Sequence, residues 1–420
     1  MSLLRRNRDF RRLFLASVIS LGGDWFLFVA LGGLVWEATE RATAIGVLIV
    51  AQEVPIFLAT PWAGWLSDRL DRRKLMVVCD LARTAICVAF LLVGPANLWL
   101  AYVLIAGLSV FAAVFDPASS AATPNVVDPE DLAPANALSG SLWGTMLAVG
   151  AALGGVISTV FGRDTAFVVD AASFAISAAL LLGIRRPFSE SRRHAQQDGI
   201  MEATRETVRY ARADHRVLAL ISVKFGFGMA AGVLALIPVF AKDVFSAGDL
   251  GFGLLMACRG LGALIGPFLG HRLSGPGHAR LFPVIGGALA VFGLAYMSLG
   301  LAPTIWLAAL AILVAHLGGG SQWVLSSYGL QRLVPDRIRG RIFAVDYAMI
   351  TLTLGGSSLV ASSLADALGP RDAVAIVGGV ALLWAGVWWT LTRRVRRTPV
   401  FAGHVGSPAE PVAPITMAVD

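Results

Sequence analysis

The sequence predicts an all-α membrane protein with twelve transmembrane helices in two pseudo-symmetric halves of six. Three observations support this fold class. Of 420 residues, 56% are hydrophobic and only 15% are charged, whereas a soluble domain carries about 25% charged residues. Apolar runs of roughly 20 residues recur, each long enough to cross a ~30 Å hydrocarbon core, where only helices satisfy their own backbone. One long polar stretch divides the chain near its midpoint.

The apolar runs place the helices in order along the chain. The first follows the basic segment LLRRNRDFRR. It is too long for a signal peptide and lacks a small-residue cleavage site, so we expect it to remain as a helix. All three cysteines fall within predicted helices, which argues against a disulfide framework. The predicted helices cover 11–36, 43–66, 75–94, 98–116, 139–161, 164–184, 217–240, 250–271, 280–300, 304–325, 341–365 and 372–391.

Lysine and arginine are distributed unequally between the two ends of these helices. Twenty-seven lie at the end that holds both termini, four lie at the opposite end, and three lie within helices. The positive-inside rule therefore predicts that both termini are cytoplasmic, in the cytoplasmic membrane of a bacterium. The net charge of +7 is explained by topology, and no nucleic-acid partner is expected.

The chain is predicted to consist of two similar halves. Residues 1–184 form the first, 185–216 a cytoplasmic central loop, 217–391 the second half, and 392–420 a disordered cytoplasmic tail. LASVISLGG (15–23) aligns with LISVKFGFG (220–228), and IGVLIVAQE (45–53) with FGLLMACRG (252–260). Many transporters are built from such repeats, which rock against each other around a midplane site.

The densest charge cluster between two apolar runs is GWLSDRLDRRKLM, residues 64–76. It resembles the loop 2–3 signature of the major facilitator superfamily, with Asp71 where a second glycine is usual, as in the DHA3-type branch of macrolide and siderophore exporters. This resemblance covers the whole chain. It implies a cytoplasmic gate in which Asp68 attracts the start of helix 11 near Arg341 and Arg72 pairs with Asp116. The expected gate residues are Gly64, Asp68, Arg69, Arg72, Arg73 and Asp116.

Ionisable residues inside membrane helices are costly, so each is a candidate for function. Asp24 in helix 1 either exchanges a proton, neutralises a cationic substrate, or simply bonds a neighbouring helix. Glu53 in helix 2 is a second proton-coupling candidate. Its repeat-related position in helix 8 is Arg259, so a Glu53–Arg259 ion pair between the halves is one possibility.

The remaining buried charges have competing interpretations. Asp80 and Arg83 stand at i, i+3 on helix 3 and are expected to form a structural pair; Asp170 is also expected to be structural. Lys224 either snorkels to the surface or faces the cavity and favours an anionic substrate. His316 either titrates in proton coupling or stays neutral.

Polar and aromatic side chains near His316 extend the candidate substrate cavity. Gln322 offers an amide and Trp323 a stacking surface, which complete the candidate set with Lys224 and Arg259. A largely apolar pocket with aromatic walls suits bulky amphipathic ligands.

Two further patterns bear on mechanism. GAALGG (150–155) resembles the core of an antiporter signature but has Ala151 where proline is expected. The alternative interpretation is that small residues at this spacing allow close helix packing. The sequence holds no phosphate-binding loop and no hydrolase or redox motif, so we expect no enzyme activity, cofactor or metal.

The sequence therefore predicts a monomeric proton-coupled exporter of bulky amphipathic small molecules, such as a drug or a natural product. One alternative is a siderophore exporter or a lipid-handling member of the same superfamily. The other is a membrane scaffold without transport.

Overall fold

The computed structural model describes residues 2–186 and 209–397, and within them twelve helices are long and apolar enough to cross a membrane. In chain order these are α1 Arg8–Thr39, α2 Ala42–Arg69, α3 Arg72–Ala89, α4 Trp99–Val126, α5 Leu132–Phe161, α6 Arg163–Leu182, α7 His215–Val244, α8 Gly248–Ser274, α9 Leu281–Gly300, α10 Ile305–Leu333, α11 Asp336–Leu368 and α12 Pro370–Leu391. The predicted all-α fold class is confirmed, while most of the predicted central loop and tail lies outside the described residues.

Helix α1 shows why the helices extend beyond their apolar cores. It begins and ends three residues beyond the predicted 11–36. The Asn7 side chain accepts a hydrogen bond of 2.9 Å from the Phe10 amide, and Glu40 ends the helix in the left-handed region at φ 51°. Capping residues rather than hydropathy therefore set these ends.

Helix α7 departs from the regular helix that the sequence predicts over 217–240. Its regular part ends at Ala231, a 3₁₀ segment follows over Gly232–Leu236, and a π turn covers Phe240–Val244. A side chain at Gly232 would meet the Ser357 carbonyl of α11 at 2.3 Å. Pro238 removes one backbone donor from the last part. Close packing on α11 and this proline together account for the irregular segment.

The two halves pack internally and meet along two helix pairs. In the first half α1 packs on α5 and α6, α3 on α4 and α6, and α2 on α4. In the second, α8 and α9 pack on α10, α9 on α12, and α7 on α11. The extensive contacts between the halves are α5 with α8 and α2 with α11.

Small residues allow the halves to approach closely. A Cβ atom added to Gly155 of α5 would lie 2.7 Å from the Asp249 carbonyl and 3.0 Å from the Gly253 Cα of α8. The close-packing interpretation of GAALGG is therefore confirmed.

The two ends of the helix bundle differ in their connections. The loop-1 end contains the connection between α1 and α2, and the terminal end contains the start of α1.

Candidate functional site

The first half contains a buried cluster of charges around Arg83 of α3, called here the Arg83 cluster. The Arg83 Nη2 lies 3.0 Å from both carboxylate oxygens of Asp24 on α1. Its Nη1 lies 3.7 Å from Asp80 Oδ1, so the predicted i, i+3 pair is confirmed. Asp116 of α4 and Asp170 of α6 are within electrostatic range of the same guanidinium. Four helices thus contribute to one site.

Local packing explains why these carboxylates converge. Gly23 has no side chain, and a Cβ atom there would lie 2.3 Å from Asp170 Oδ1, so α6 packs directly on the α1 backbone beside Asp24. Ser173 and Cys87 donate to the two Asp170 oxygens, each at 3.2 Å. The Arg83 guanidinium also lies over the Phe174 ring at 3.8 Å. The site is therefore held by packing as well as by charge.

The Arg83 cluster contains more carboxylates than positive charge. Asp24, Asp80, Asp116 and Asp170 face one guanidinium. Several ionised carboxylates around one cation are unfavourable in a low-dielectric interior. The Asp24 side chain is 27% exposed and Asp116 is exposed, whereas Asp80 and Asp170 are fully buried. Asp24 and Asp116 are therefore the accessible members of the cluster.

Side chains of the two halves approach each other near this cluster. Tyr347 of α11 is 44% exposed and lies within electrostatic range of both Glu53 on α2 and Asp116 on α4. The exposed Tyr347 and Asp116 side chains, one from each half, thus lie near each other.

The second half contains a balanced buried pair that the sequence analysis missed. The Lys224 ammonium of α7 forms an ion pair with Asp346 of α11 and donates to Ser327 Oγ at 2.9 Å. It also lies 5.1 Å from the Trp323 ring. Lys224 is 1% exposed, so it does not snorkel. Asp346 lies inside the predicted helix 341–365, only five residues after Arg341. An aspartate within a predicted membrane helix is a candidate for function, and this signal could have identified it.

Arg259 of α8 is buried, and no described carboxylate lies within ion-pair distance of it. Its Nε donates to His316 Nε2 at 3.2 Å, and His316 Nδ1 lies 3.2 Å from the Ile312 carbonyl. His316 therefore accepts with Nε2 and carries its proton on Nδ1, which is the neutral state. Glu53 is within electrostatic range of Arg259, but these two described side chains form no ion pair within 4.0 Å. The possible Glu53–Arg259 pair is not formed in this structure.

Aromatic rings from the first half surround the Arg259 guanidinium. Its Cζ lies 5.3 Å from the Trp143 ring of α5 and 5.8 Å from the Trp25 ring of α1. The predicted cavity residue Gln322 is fully buried, and neither of its amide atoms has a hydrogen-bond partner among the described residues. Of the predicted cavity residues, Lys224 therefore lies beside Trp323, whereas Arg259 lies apart from them beside Trp25 and Trp143, which were not predicted.

Four charged side chains join the halves at the loop-1 end, in an arrangement called here the charge ring. Arg163 lies 2.5 Å from Glu37 and 3.0 Å from Asp249, and Lys242 lies 2.9 Å from Glu37 and 2.6 Å from Asp249. Each half contributes one acid and one base. The sequence analysis counted Arg163 and Lys242 only as sparse loop charges and missed this arrangement.

A helix cap closes the same end on its other side. The Asp366 carboxylate of α11 accepts from the backbone amides of Ala42 and Thr43 at 2.8 and 3.0 Å. It therefore caps the first turn of α2 across the boundary between the halves, where a negative charge is favourable.

The predicted gate residues lie at the terminal end. The surroundings of Gly64 and the side chains of Asp68 and Arg69 are outside the described part of the structure. Arg73 donates to the Ile184 carbonyl at 2.9 Å, which ties α3 to the end of α6. Arg72 is buried, and Asp116 does not form the expected ion pair with it, because the Asp116 carboxylate lies instead in the field of Arg83.

Comparisons with known proteins define the class of this protein. The family described as transmembrane secretion effectors matches residues 3–405. The chain therefore belongs to this family of the major facilitator superfamily, and it is a multi-pass membrane transporter, as the sequence predicted.

The relatives are bacterial transporters. The chain is 28% identical over 415 residues to the enterobactin exporter EntS of Salmonella typhi, covering 95% of this chain and 96% of that one. It is 22% identical over 398 residues to the staphyloferrin A transporter of Staphylococcus aureus, covering 91% and 96%. Among solved structures, the inward-facing unoccupied form of a bacterial homologue of the lysosomal transporter Spinster gives a TM-score of 0.74 at 14% identity, over 96% and 98% of the chains.

Proposed function

We propose that this transporter is an exporter that exchanges protons for a small molecule by alternating access. The observation that carries the proposal is the Arg83 cluster, in which four carboxylates surround one guanidinium. A site with this composition gains and loses protons as its surroundings change from wet to dry. Asp24 is the coupling residue of choice, because it is partly exposed and bonded directly to Arg83.

The contacts between the halves support alternating access. The charge ring and the Asp366 cap hold the loop-1 end together, while the Tyr347 and Asp116 side chains remain exposed. Opening the loop-1 end requires these contacts to separate. The gate around Asp68 and Arg72, with Arg69 and Arg73 beside it, would then hold the terminal end closed.

The basic residues at the terminal end support an orientation in which this end and both termini are cytoplasmic. In that orientation the charge ring closes the outer side of a bacterial cytoplasmic membrane. Substrate then enters from the cytoplasm, and protons enter from outside as the cycle returns.

The substrate is a bulky amphipathic small molecule. Trp25, Trp143 and Trp323 supply aromatic surface near buried cations. Export of a siderophore is a specific second candidate, since two relatives are an enterobactin exporter and a staphyloferrin A transporter. His316 is a less suitable coupling residue, because its neutral form already satisfies both of its contacts.

The test uses purified protein in liposomes with a trapped pH-sensitive dye and an imposed pH gradient. A panel of macrolides, lipophilic dyes and siderophores is added from the side that binds substrate. We expect a transported compound to dissipate the gradient with the wild type and at least about tenfold more slowly with Asp24→Asn, which removes one ionisable group from the Arg83 cluster.

The matched control is Asp372→Asn, which makes the same chemical change at an exposed position at the start of α12. It should behave like the wild type. Substrate movement without any proton movement would show that export is not coupled to protons. Proton exchange that survives Asp24→Asn would transfer the coupling role to Glu53.

A further inference from the structure

We infer that Arg259, Trp25 and Trp143 form an anion-binding subsite that selects substrates carrying a negative charge on or beside an aromatic ring. This inference deepens the proposed export function and rests on it. The subsite lies between the halves, because α1 and α5 belong to the first half and α8 to the second.

Several hydrogen-bond donors at this position have no acceptor among the described residues. Arg259 is only 7% exposed, and no described carboxylate lies within 4.0 Å of its guanidinium. The buried Trp25 indole N–H and the Tyr296 hydroxyl also have no hydrogen-bond partner among the described residues, and Tyr296 is within electrostatic range of Arg259. A buried cation with unpaired donors around it is unfavourable until an anion binds.

His316 directs the guanidinium toward the rings. By accepting from Nε, it fixes one edge of Arg259 and leaves the two terminal nitrogens for a ligand. A planar guanidinium binds a carboxylate or a comparable anion through two parallel hydrogen bonds.

The aromatic rings add selectivity for a flat ligand. Trp25 and Trp143 lie 6.1 Å apart at 76°, and Trp143 is 46% exposed, so it offers free ring surface. An aromatic anion can contact Arg259 with its charge and Trp143 with its ring.

Lys224, the other cation that the sequence analysis proposed for the cavity, is not available for this role. Lys224 is neutralised by Asp346 and surrounded by Ser327 and Trp323. Of the two cations that favoured an anionic substrate at the sequence level, the structure therefore assigns the role to Arg259.

The position between the halves links binding to the transport cycle. A ligand that contacts α1, α5 and α8 together binds differently when the halves move, and only such differential binding shifts a conformational equilibrium. Glu53 of α2 lies within electrostatic range of Arg259 without forming an ion pair with it. It therefore competes with the bound anion.

The test measures binding of two fluorescent probes that share a xanthene ring and differ in charge, anionic fluorescein and cationic rhodamine 123. Fluorescence anisotropy with purified protein in detergent micelles gives Kd for each, with protein-free micelles as the baseline. We expect Arg259→Gln to weaken fluorescein binding about tenfold or more, because a charge-assisted contact is lost. Rhodamine 123 binding should remain unchanged. Glu53→Gln should tighten fluorescein binding.

Two further variants separate charge from folding. Trp25→Phe keeps a ring but removes the indole N–H, and it should weaken fluorescein about two- to fivefold, consistent with one neutral hydrogen bond. Arg280→Gln removes an exposed arginine between α8 and α9 and should change neither Kd.

The outcomes distinguish the subsite from export itself. Equal fluorescein affinity in wild type and Arg259→Gln, or a wild-type preference for rhodamine 123, overturns the subsite even if liposomes still export. Arginine-dependent binding of fluorescein without movement of any compound in liposomes supports the subsite and overturns the export function.

Discussion

The buried charges of the two halves are imbalanced in opposite directions. In the first half one arginine, Arg83, faces four aspartates. In the second half Lys224 is matched by Asp346, while Arg259 has a histidine and two tryptophans around it and no described carboxylate within ion-pair distance. The proposals for the two halves therefore differ: proton binding in the first half and anion binding in the second.

The largest change in stability is expected when the balanced Lys224–Asp346 pair is broken. Lys224→Met leaves Asp346 as an uncompensated buried charge and should lower the free energy of unfolding by about 3–5 kcal/mol. The double variant Lys224→Met with Asp346→Leu should recover most of this loss. Unfolding in mixed detergent micelles measures both, and a double variant as unstable as the single one would contradict the pairing.

Removing the buried cation of the first half should lower the free energy of unfolding by less. Arg83→Met removes the only cation of its cluster, but the carboxylates can become neutral by binding protons, so we expect a loss of about 1–3 kcal/mol at pH 6. Because the folded variant then holds more protons than the unfolded chain, its stability should fall further as the pH rises toward 8. A loss that is independent of pH would contradict the proton-binding interpretation.

The smallest expected effect concerns the charge ring that joins the halves. Arg163→Gln removes contacts to the exposed Glu37 and to the buried Asp249, which keeps its contact with Lys242, and should favour opening of the loop-1 end by about 1 kcal/mol. Spin labels at Arg41 and Leu301, on a cysteine-free background, should report a broader distance distribution.

The control for this variant is Arg371→Gln at the same end. Arg371 donates to the carbonyls of Gly300 and Ala302 within the second half, so its loss should leave the distance between the halves unchanged. An equal broadening in both variants would mean that the ring does not hold the halves together.

Much of the fold and part of the site could be predicted from the sequence. Twelve apolar runs predicted twelve helices, and isolated charges such as Asp24, Arg83 and Arg259 were recognised because a charged residue stands out in an apolar run. Asp346 was overlooked because it lies close to the basic start of α11. The charge ring was missed because its four members are ordinary residues at helix ends, separated by up to 212 positions in the chain.

The sequence by itself determined the number of helices, the superfamily and the candidate charges, because hydropathy and local motifs depend only on neighbouring residues. Only the tertiary structure decided which charges meet. Asp24 pairs with Arg83, Lys224 pairs with Asp346, and Arg259 lies beside two tryptophans of the other half. The physical reason is that helix packing and rotation select the partners of a buried charge, and helices distant in sequence contribute to each site.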